Sequence, residues 1–280
     1  MPPDENSIDG LPPLRDVIAR HDLRADKRLG QNFLLDLNIT DKIARASGPL
    51  DKATVFEIGP GPGGLTRSLL RAGAKKVIAV EYDPRAVAAL QELAAADSRL
   101  TVLHGDALET DLLTLAPAGT RVIVANLPYN IATPLLLGWL RQVRQNPDAF
   151  SAMTLMFQRE VADRLTAIPG NKIYGRLSVM AQWLCEVNRL FDLPPSVFVP
   201  PPKVTSSVVR FAPRILPAEQ PSFRAMEIIV AAAFNQRRKM LRSALKSFPG
   251  LIEKAGIDGT LRAEQLVVAD FVRLAGLHGS

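Results

Sequence analysis

A strand, a glycine-rich turn and a helix followed at once by a second strand can close in very few ways, and residues 52–81 spell out that unit. Residues 54–58, Thr-Val-Phe-Glu-Ile, read as a buried strand that ends in Gly59-Pro60-Gly61-Pro62-Gly63-Gly64. Residues 65–72 read as a helix, and residues 76–80 as the next strand, ending at Glu81. A third strand, 100–104, ends in Gly105-Asp106, and a fourth apolar run, 121–125, ends at Asn126. Strand and helix patterns alternate to residue 157, which predicts an α/β fold with a parallel, doubly wound sheet. Strands at 186–193 and 205–211 complete it, with 194–203 as the loop between them. In such sheets ligands lie at the carboxyl ends of the strands, where Glu57, Glu81, Asp106 and Asn126 all fall.

Gly59, Gly61 and Gly64 match the pattern G-x-G-x-x-G, with an acidic residue about 20 positions on, so a dinucleotide-binding dehydrogenase is one reading. Three features oppose it. Pro60 and Pro62 remove two backbone N–H groups from the turn where a pyrophosphate needs donors. Glu57 suits an amine-bearing or cationic ligand better than a phosphate. Asp106 adds a further acid at the same edge and can accept from an adenine amine, besides serving as a helix N-cap. The corner Asn126-Leu127-Pro128-Tyr129 is the sharpest signal. The Asn126 side-chain oxygen and the Leu127 carbonyl, kept free by the extended turn before Pro128, offer two acceptors. Tyr129 offers a flat ring. Together they suit a planar group bearing an NH2, such as adenine. S-adenosylmethionine matches the acidic edge, since it carries an amine, a ribose diol and an adenine but no phosphate.

The chain has 280 residues, 47% apolar and 22% charged, enough for one large domain and a small one with a sizeable core. No apolar run approaches the ~20 residues of a membrane helix. Residues 1–10 are acidic and proline-bearing, unlike a signal peptide, and are expected to be disordered. A single cysteine, Cys185, excludes an internal disulfide and a cysteine zinc cluster, and is read as a core residue. His21, His104 and His278 are far apart in sequence and suggest no metal site. The net charge is +6, and residues 201–280 alone carry that excess. A basic face is the footprint expected for phosphate backbones. Arg237, Arg238, Lys239, Arg242 and Lys246 are predicted to share a helix face that could lie on RNA. Residues 213–221 read as a linker and 222–279 as helical. This divides the chain into a catalytic domain, 1–212, and a helical RNA-binding domain, 213–280.

The order of these motifs resembles the class I, S-adenosylmethionine-dependent methyltransferases, and the Asn-Leu-Pro-Tyr corner resembles those acting on adenine amines. Further segments narrow the resemblance: Leu29-Gly30-Gln31-Asn32-Phe33-Leu34, Tyr174-Gly175-Arg176-Leu177-Ser178, 197–206 (Val-Phe-Val-Pro-Pro-Pro-Lys-Val-Thr-Ser), and 234–241 (Phe-Asn-Gln-Arg-Arg-Lys-Met-Leu). In this order and spacing they are similar to the ribosomal RNA adenine dimethyltransferases. The resemblance runs from about Leu23 to the C-terminus and is closest to the enzymes that dimethylate two adjacent adenosines near the 3′ end of 16S ribosomal RNA. It implies a Rossmann-like sheet with a small all-helical C-terminal domain. It also implies S-adenosylmethionine without a metal, the small ribosomal subunit as partner, a role in subunit biogenesis, and a cytoplasmic monomer away from membranes. For the site it implies cofactor contacts from Asn32, Leu34, Gly59, Gly61, Glu81, Asp106 and Asn126. The catalytic set is Asn126, Leu127, Pro128 and Tyr129, with Phe198 as a second ring opposite Tyr129 or as a core residue. A large-subunit methyltransferase and a non-catalytic assembly factor remain the alternatives.

Overall fold

The computed structural model describes residues 10–23, 25 and 30–279. Of residues 1–10, expected to be disordered, 1–9 lie outside the described residues, as do 24 and 26–29, which include Leu29 of the Leu29–Leu34 motif. The chain divides into two compact units. The first holds residues up to 136, then 149–159 and 189–211; the second holds 137–148, 160–188 and 212–280.

A seven-stranded sheet dominates the first unit. Its strands are β2 (Ala53–Ile58), β3 (Lys76–Glu81), β4 (Leu100–His104), β5 (Thr120–Ala125), β6 (Ala152–Gln158), β7 (Cys185–Leu193) and β9 (Ser206–Pro213), in the order β4-β3-β2-β5-β6-β9-β7. From β4 to β6 every pairing is parallel, and β9 joins β6 antiparallel. β2, β3 and β5 are apolar almost throughout, as parallel strands covered on both faces must be. Val55, Phe56, Val77, Ala79, Ile123 and Val124 are fully buried, and each large apolar side chain so placed contributes roughly 1.5–3 kcal/mol. The strand order reverses beside β2, with β3 on one side and β5 on the other. A crevice therefore opens between the two chains leaving their carboxyl ends.

The helices are delimited by readable signals. Asp36 caps α2 (Leu37–Ala46) by accepting from the Asn38 amide at 2.9 Å. Asp83 caps α4 (Pro84–Ala96), with proline at the first helical position. Asp111 caps the single turn α5 (Leu112–Leu115) in the same way. α1 spans Leu14–Arg20, and α3 (Gly64–Arg71) starts one residue earlier than expected. A small antiparallel pair has no counterpart in the sequence pattern. β1 (Phe33–Leu34) pairs with β8 (Phe198–Val199), setting Phe33 opposite Val199 and Leu34 opposite Phe198. Two-residue strands leave no alternation to read.

The second unit is helical. It contains most of α7 (Arg159–Thr166), then α8 (Arg176–Leu184), α9 (Phe223–Asn235), the short α10 (Leu241–Ala244) and α11 (Leu251–Ala255), and α12 (Val268–Gly279). Its core is aromatic: Phe234 stacks on Phe271 with ring centroids 5.6 Å apart, and Tyr174 meets Phe234 edge-on at 6.0 Å. The basic run departs from its predicted form. Residues 236–239 form a turn between α9 and α10, not a helix face. Arg237 donates to the Lys172 and Tyr174 carbonyls at 2.6 and 2.7 Å and faces Glu264 at 3.8 Å. Its guanidinium thereby braces the unit from within.

Candidate active site

A cavity of roughly 320 Å³ occupies the crevice at the carboxyl ends of β2, β3, β4 and β5. Asn32, Leu34, Gly59, Gly61, Glu81, Asp106, Asn126, Leu127, Pro128 and Tyr129 all line it. Phe198 does not. It is 1% exposed and packs in the core with Leu34 and Val208, so neither face of its ring is open to a base. Its ring packs in the core here, and its role opposite Tyr129 is left to proposal.

The glycine turn is shaped by close approach. Gly61 has φ +56°, and a Cβ there would stand 2.9 Å from the Phe33 ring, so both conformation and space demand glycine. A Cβ on Gly64 would meet the Leu34 carbonyl at 2.6 Å. The strap 30–34 thus closes directly over the turn. The turn's own donors are consumed internally. Gly59 N–H bonds the Val80 carbonyl at 2.9 Å, Gly63 N–H bonds Pro60 at 3.1 Å, and Gly61 N–H donates to Glu81 Oε2 at 3.0 Å. Pro60 and Pro62 have no N–H to give. From residue 59 to 63 no backbone donor is left for a phosphate, which removes the basis of the dinucleotide reading.

Three carboxylates, Glu57, Glu81 and Asp106, face the cavity. Glu81 accepts the Tyr82 and Asp83 amides on Oε1, each at 2.8 Å, and Gly61 on Oε2. These bonds fix its plane and leave Oε2 able to accept again, since each oxygen has two lone pairs. Burial raises its pKa, against the pull of the three amides. Glu57 is 1% exposed, and its Oε2 has no hydrogen-bond partner. Burial pushes its pKa up to about 8; the nearby Thr66 hydroxyl opposes this without forming a well-aligned bond, and the Glu81 charge reinforces it. Asp106 accepts the Leu108 amide on Oδ1 at 2.8 Å and caps a turn, not the helix N-terminus expected of it, since α5 is capped by Asp111.

At the end of β5 the Asn126 amide is held by the strap. Its Nδ2 donates to the Asn32 carbonyl at 3.0 Å. A carbonyl can only accept, so this bond decides which end of the amide is which and leaves Oδ1 as the acceptor. Among the described residues, backbone pairing in the next turn starts from Pro128 O, which accepts from Ile131 at 3.1 Å; the Leu127 carbonyl receives no such bond. Tyr129 is half-buried, and its hydroxyl meets Ser206 Oγ at 2.5 Å. Burial raises the phenol pKa and the Ser206 bond counteracts that rise.

Sequence reasoning leaves out three contributors. Phe33 lies inside the strap motif, but nothing local says its ring roofs a glycine 28 positions away in sequence. Tyr82, which follows Glu81, lines the cavity while 60% exposed, where a solvated strand end would read the same. Ser206 carries no signal beyond its place at the end of the proline-rich segment.

A reversed α/β sheet, a phosphate-averse glycine turn, an acidic strand edge and an Asn-Leu-Pro-Tyr corner in one cavity define the Rossmann-like, S-adenosylmethionine-dependent methyltransferase class. The family described as ribosomal RNA adenine dimethylase matches residues 22–277. This chain belongs to that family. It is 58% identical over 275 residues to ribosomal RNA small subunit methyltransferase A of Rhodopseudomonas palustris strain BisB5, covering 96% of this chain and 95% of the relative. The protein of that name from Rhodospirillum rubrum is 57% identical, covering 97% and 94%. Among solved structures, a dimethyladenosine transferase from Plasmodium falciparum is similar with TM-score 0.72 and 28% identity, covering 85% of this chain and 94% of that one. The 23S rRNA methyltransferase ErmE follows with TM-score 0.64 and 25% identity, covering 87% and 98%.

Proposed function

We propose that this protein dimethylates the exocyclic amines of two adjacent adenosines near the 3′ end of 16S ribosomal RNA, on the small ribosomal subunit, with S-adenosylmethionine as methyl donor. The observation that carries the reading is the fixed Asn126 amide: Oδ1 and the neighbouring Leu127 carbonyl form a two-acceptor corner beside three carboxylates in one cavity. The names of the relatives, matched over nearly their whole length, direct the choice to the small subunit.

The residues fit the cofactor. Glu81 Oε2 would accept from a ribose hydroxyl, Asp106 Oδ2 from the adenine amine, and Glu57 from the amino group of the methionine portion. Leu34, Gly59 and Gly61 would form the walls, and Asn32 would hold Asn126 in register. The cofactor supplies a methyl already activated by a sulfonium, so the protein has no leaving group to protonate. A target adenine must leave its stack to enter. Its amine is a weak nucleophile, because the lone pair is delocalised into the ring. By accepting hydrogen bonds from both amine N–H groups, Asn126 Oδ1 and Leu127 O favour a pyramidal nitrogen with a localised lone pair. Pro128 holds the Leu127 carbonyl outward, and Tyr129 stacks on the base, worth about 1–3 kcal/mol. No strong base is needed, since the proton leaves after the nitrogen has become cationic. Alignment for in-line transfer carries the catalysis and can supply ~7–11 kcal/mol. Basic side chains of segment 213–280 would dock on the RNA. No helix among the described residues is long and apolar enough to cross a membrane, and a ribosomal substrate puts the work in the cytoplasm.

The test is methyl transfer to purified small subunits lacking the modification, with large subunits in parallel and mass mapping of the product. Dimethyladenosine at two adjacent positions in 16S RNA is expected. Methylation of large subunits alone would replace the reading with the 23S alternative, and no transfer to either would refute it.

A further inference from the structure

Ser206 belongs to no part of the reaction as derived so far, yet it touches the ring that receives the base. It is fully buried on β9, where it stands opposite Gln158 of β6 in the antiparallel register. Its neighbour Ser207 is also fully buried and donates to Asp192 Oδ1 at 2.7 Å. The start of β9 is therefore held by the sheet ladder on one side and by a side-chain bond on the other. The Tyr129 hydroxyl reaches this fixed point at 2.5 Å. Tyr129 itself sits in a turn between β5 and α6 (Ala132–Gln145), where backbone pairing starts only at Pro128 O.

From this geometry we infer that Ser206 is a positioning residue for methyl transfer: it locks the plane of the Tyr129 ring in the orientation that stacks on the target adenine. The inference rests on the proposed reading of the cavity. A phenol ring on a turn can rotate, and each rotation would have to be frozen when the base arrives. A hydroxyl anchored to a buried strand freezes it beforehand, which is how a preorganised site lowers the cost of ordering at the transition state. Serine suits the position: it is small enough for a fully buried strand site, and its hydroxyl can serve as donor or acceptor to a phenol.

The experiment compares Ser206→Ala, Tyr129→Phe and the double variant on small subunits lacking the modification. Each single change is expected to lower kcat/KM about tenfold, the equivalent of 1.36 kcal/mol, mainly through kcat. Affinity for S-adenosylmethionine should be unchanged. The double variant should be no worse than either single one, because both remove the same bond. Effects that multiply, or full activity of Ser206→Ala, would overturn the inference. An ultraviolet titration of the tyrosines scores the bond independently of activity. Without Ser206 the Tyr129 phenol is deprived of the hydrogen bond that offsets burial, so its titration should move to higher pH in Ser206→Ala; an unmoved curve counts against the lock. A wild-type protein inactive on these particles would overturn the reading of the site, while the titration would still decide whether Ser206 holds Tyr129.

Discussion

Glu57 gives the sharpest quantitative test of the cavity, and the perturbation is Glu57→Gln. Its carboxyl is fully buried, one oxygen has no partner, and its pKa rises from 4.5 to about 8. The folded state thus holds a proton that the unfolded chain releases above pH 4.5. For a group whose folded pKa is raised, the stability contributed by the bound proton is present below the unfolded pKa and is lost as pH climbs to the folded one. Over 3.5 units between those values, at 1.36 kcal/mol each, the loss is on the order of 5 kcal/mol. Glutamine keeps the shape of the protonated acid and cannot ionise. It brings an NH2 into a place without a matching acceptor, at a cost of about 1–3 kcal/mol that does not vary with pH. The diagnostic is therefore the slope and not the offset. Urea unfolding of the ligand-free protein from about pH 5.5 to 9, a range that spans the folded value, should show wild-type stability falling relative to Glu57→Gln as pH rises. Parallel curves would show that Glu57 is ionised and solvated in the folded protein, and the argument from burial would fail.

Asn126→Ala should abolish methyl transfer and leave the fold intact, as circular dichroism would show; near-normal turnover on the RNA substrate would remove Asn126 from its role. Glu81→Ala should weaken cofactor affinity more than turnover, because a carboxylate on the ribose acts in the ground state as well as the transition state; unchanged calorimetric affinity for S-adenosylmethionine would place the ribose elsewhere. Arg237→Ala should lower the melting temperature, with a stability loss of about 1–3 kcal/mol from two hydrogen bonds to carbonyls. The pair Arg238→Ala and Lys239→Ala should instead weaken binding to small subunits and reduce the slope of log affinity against log salt by roughly 0.7–0.9 for each phosphate no longer neutralised. A salt slope that changes with Arg237 and not with the pair would reverse these assignments.

Much of the fold is legible in the sequence because the signals are local. A parallel strand covered on both faces has to be an apolar run, and β2, β3 and β5 are such runs. The turns after them have to contain glycine, proline or a capping carboxylate, and Gly59-Pro60-Gly61, Asp83 and Pro128 are in place. Because a parallel sheet gathers the carboxyl ends of its strands on one edge, position in sequence is enough to bring Glu57, Glu81, Asp106 and Asn126 to one cavity. Other facts depend on pairs of residues remote in the chain. No local pattern tells a ring in a proline-rich loop whether it will face a ligand or the core, and the pairing of Leu34 with Phe198 sends it to the core. The basic run after α9 reads like a helix face, but the Lys172 and Tyr174 carbonyls claim Arg237 for packing. The flip of the Asn126 amide, the orphaned oxygen of Glu57 and the anchoring of Tyr129 by Ser206 likewise arise only when separate segments meet. Covalent chemistry and local backbone preference put the acceptors at the strand ends. Which of them stays open, which keeps its proton and which is held still follows from the groups that burial sets against them.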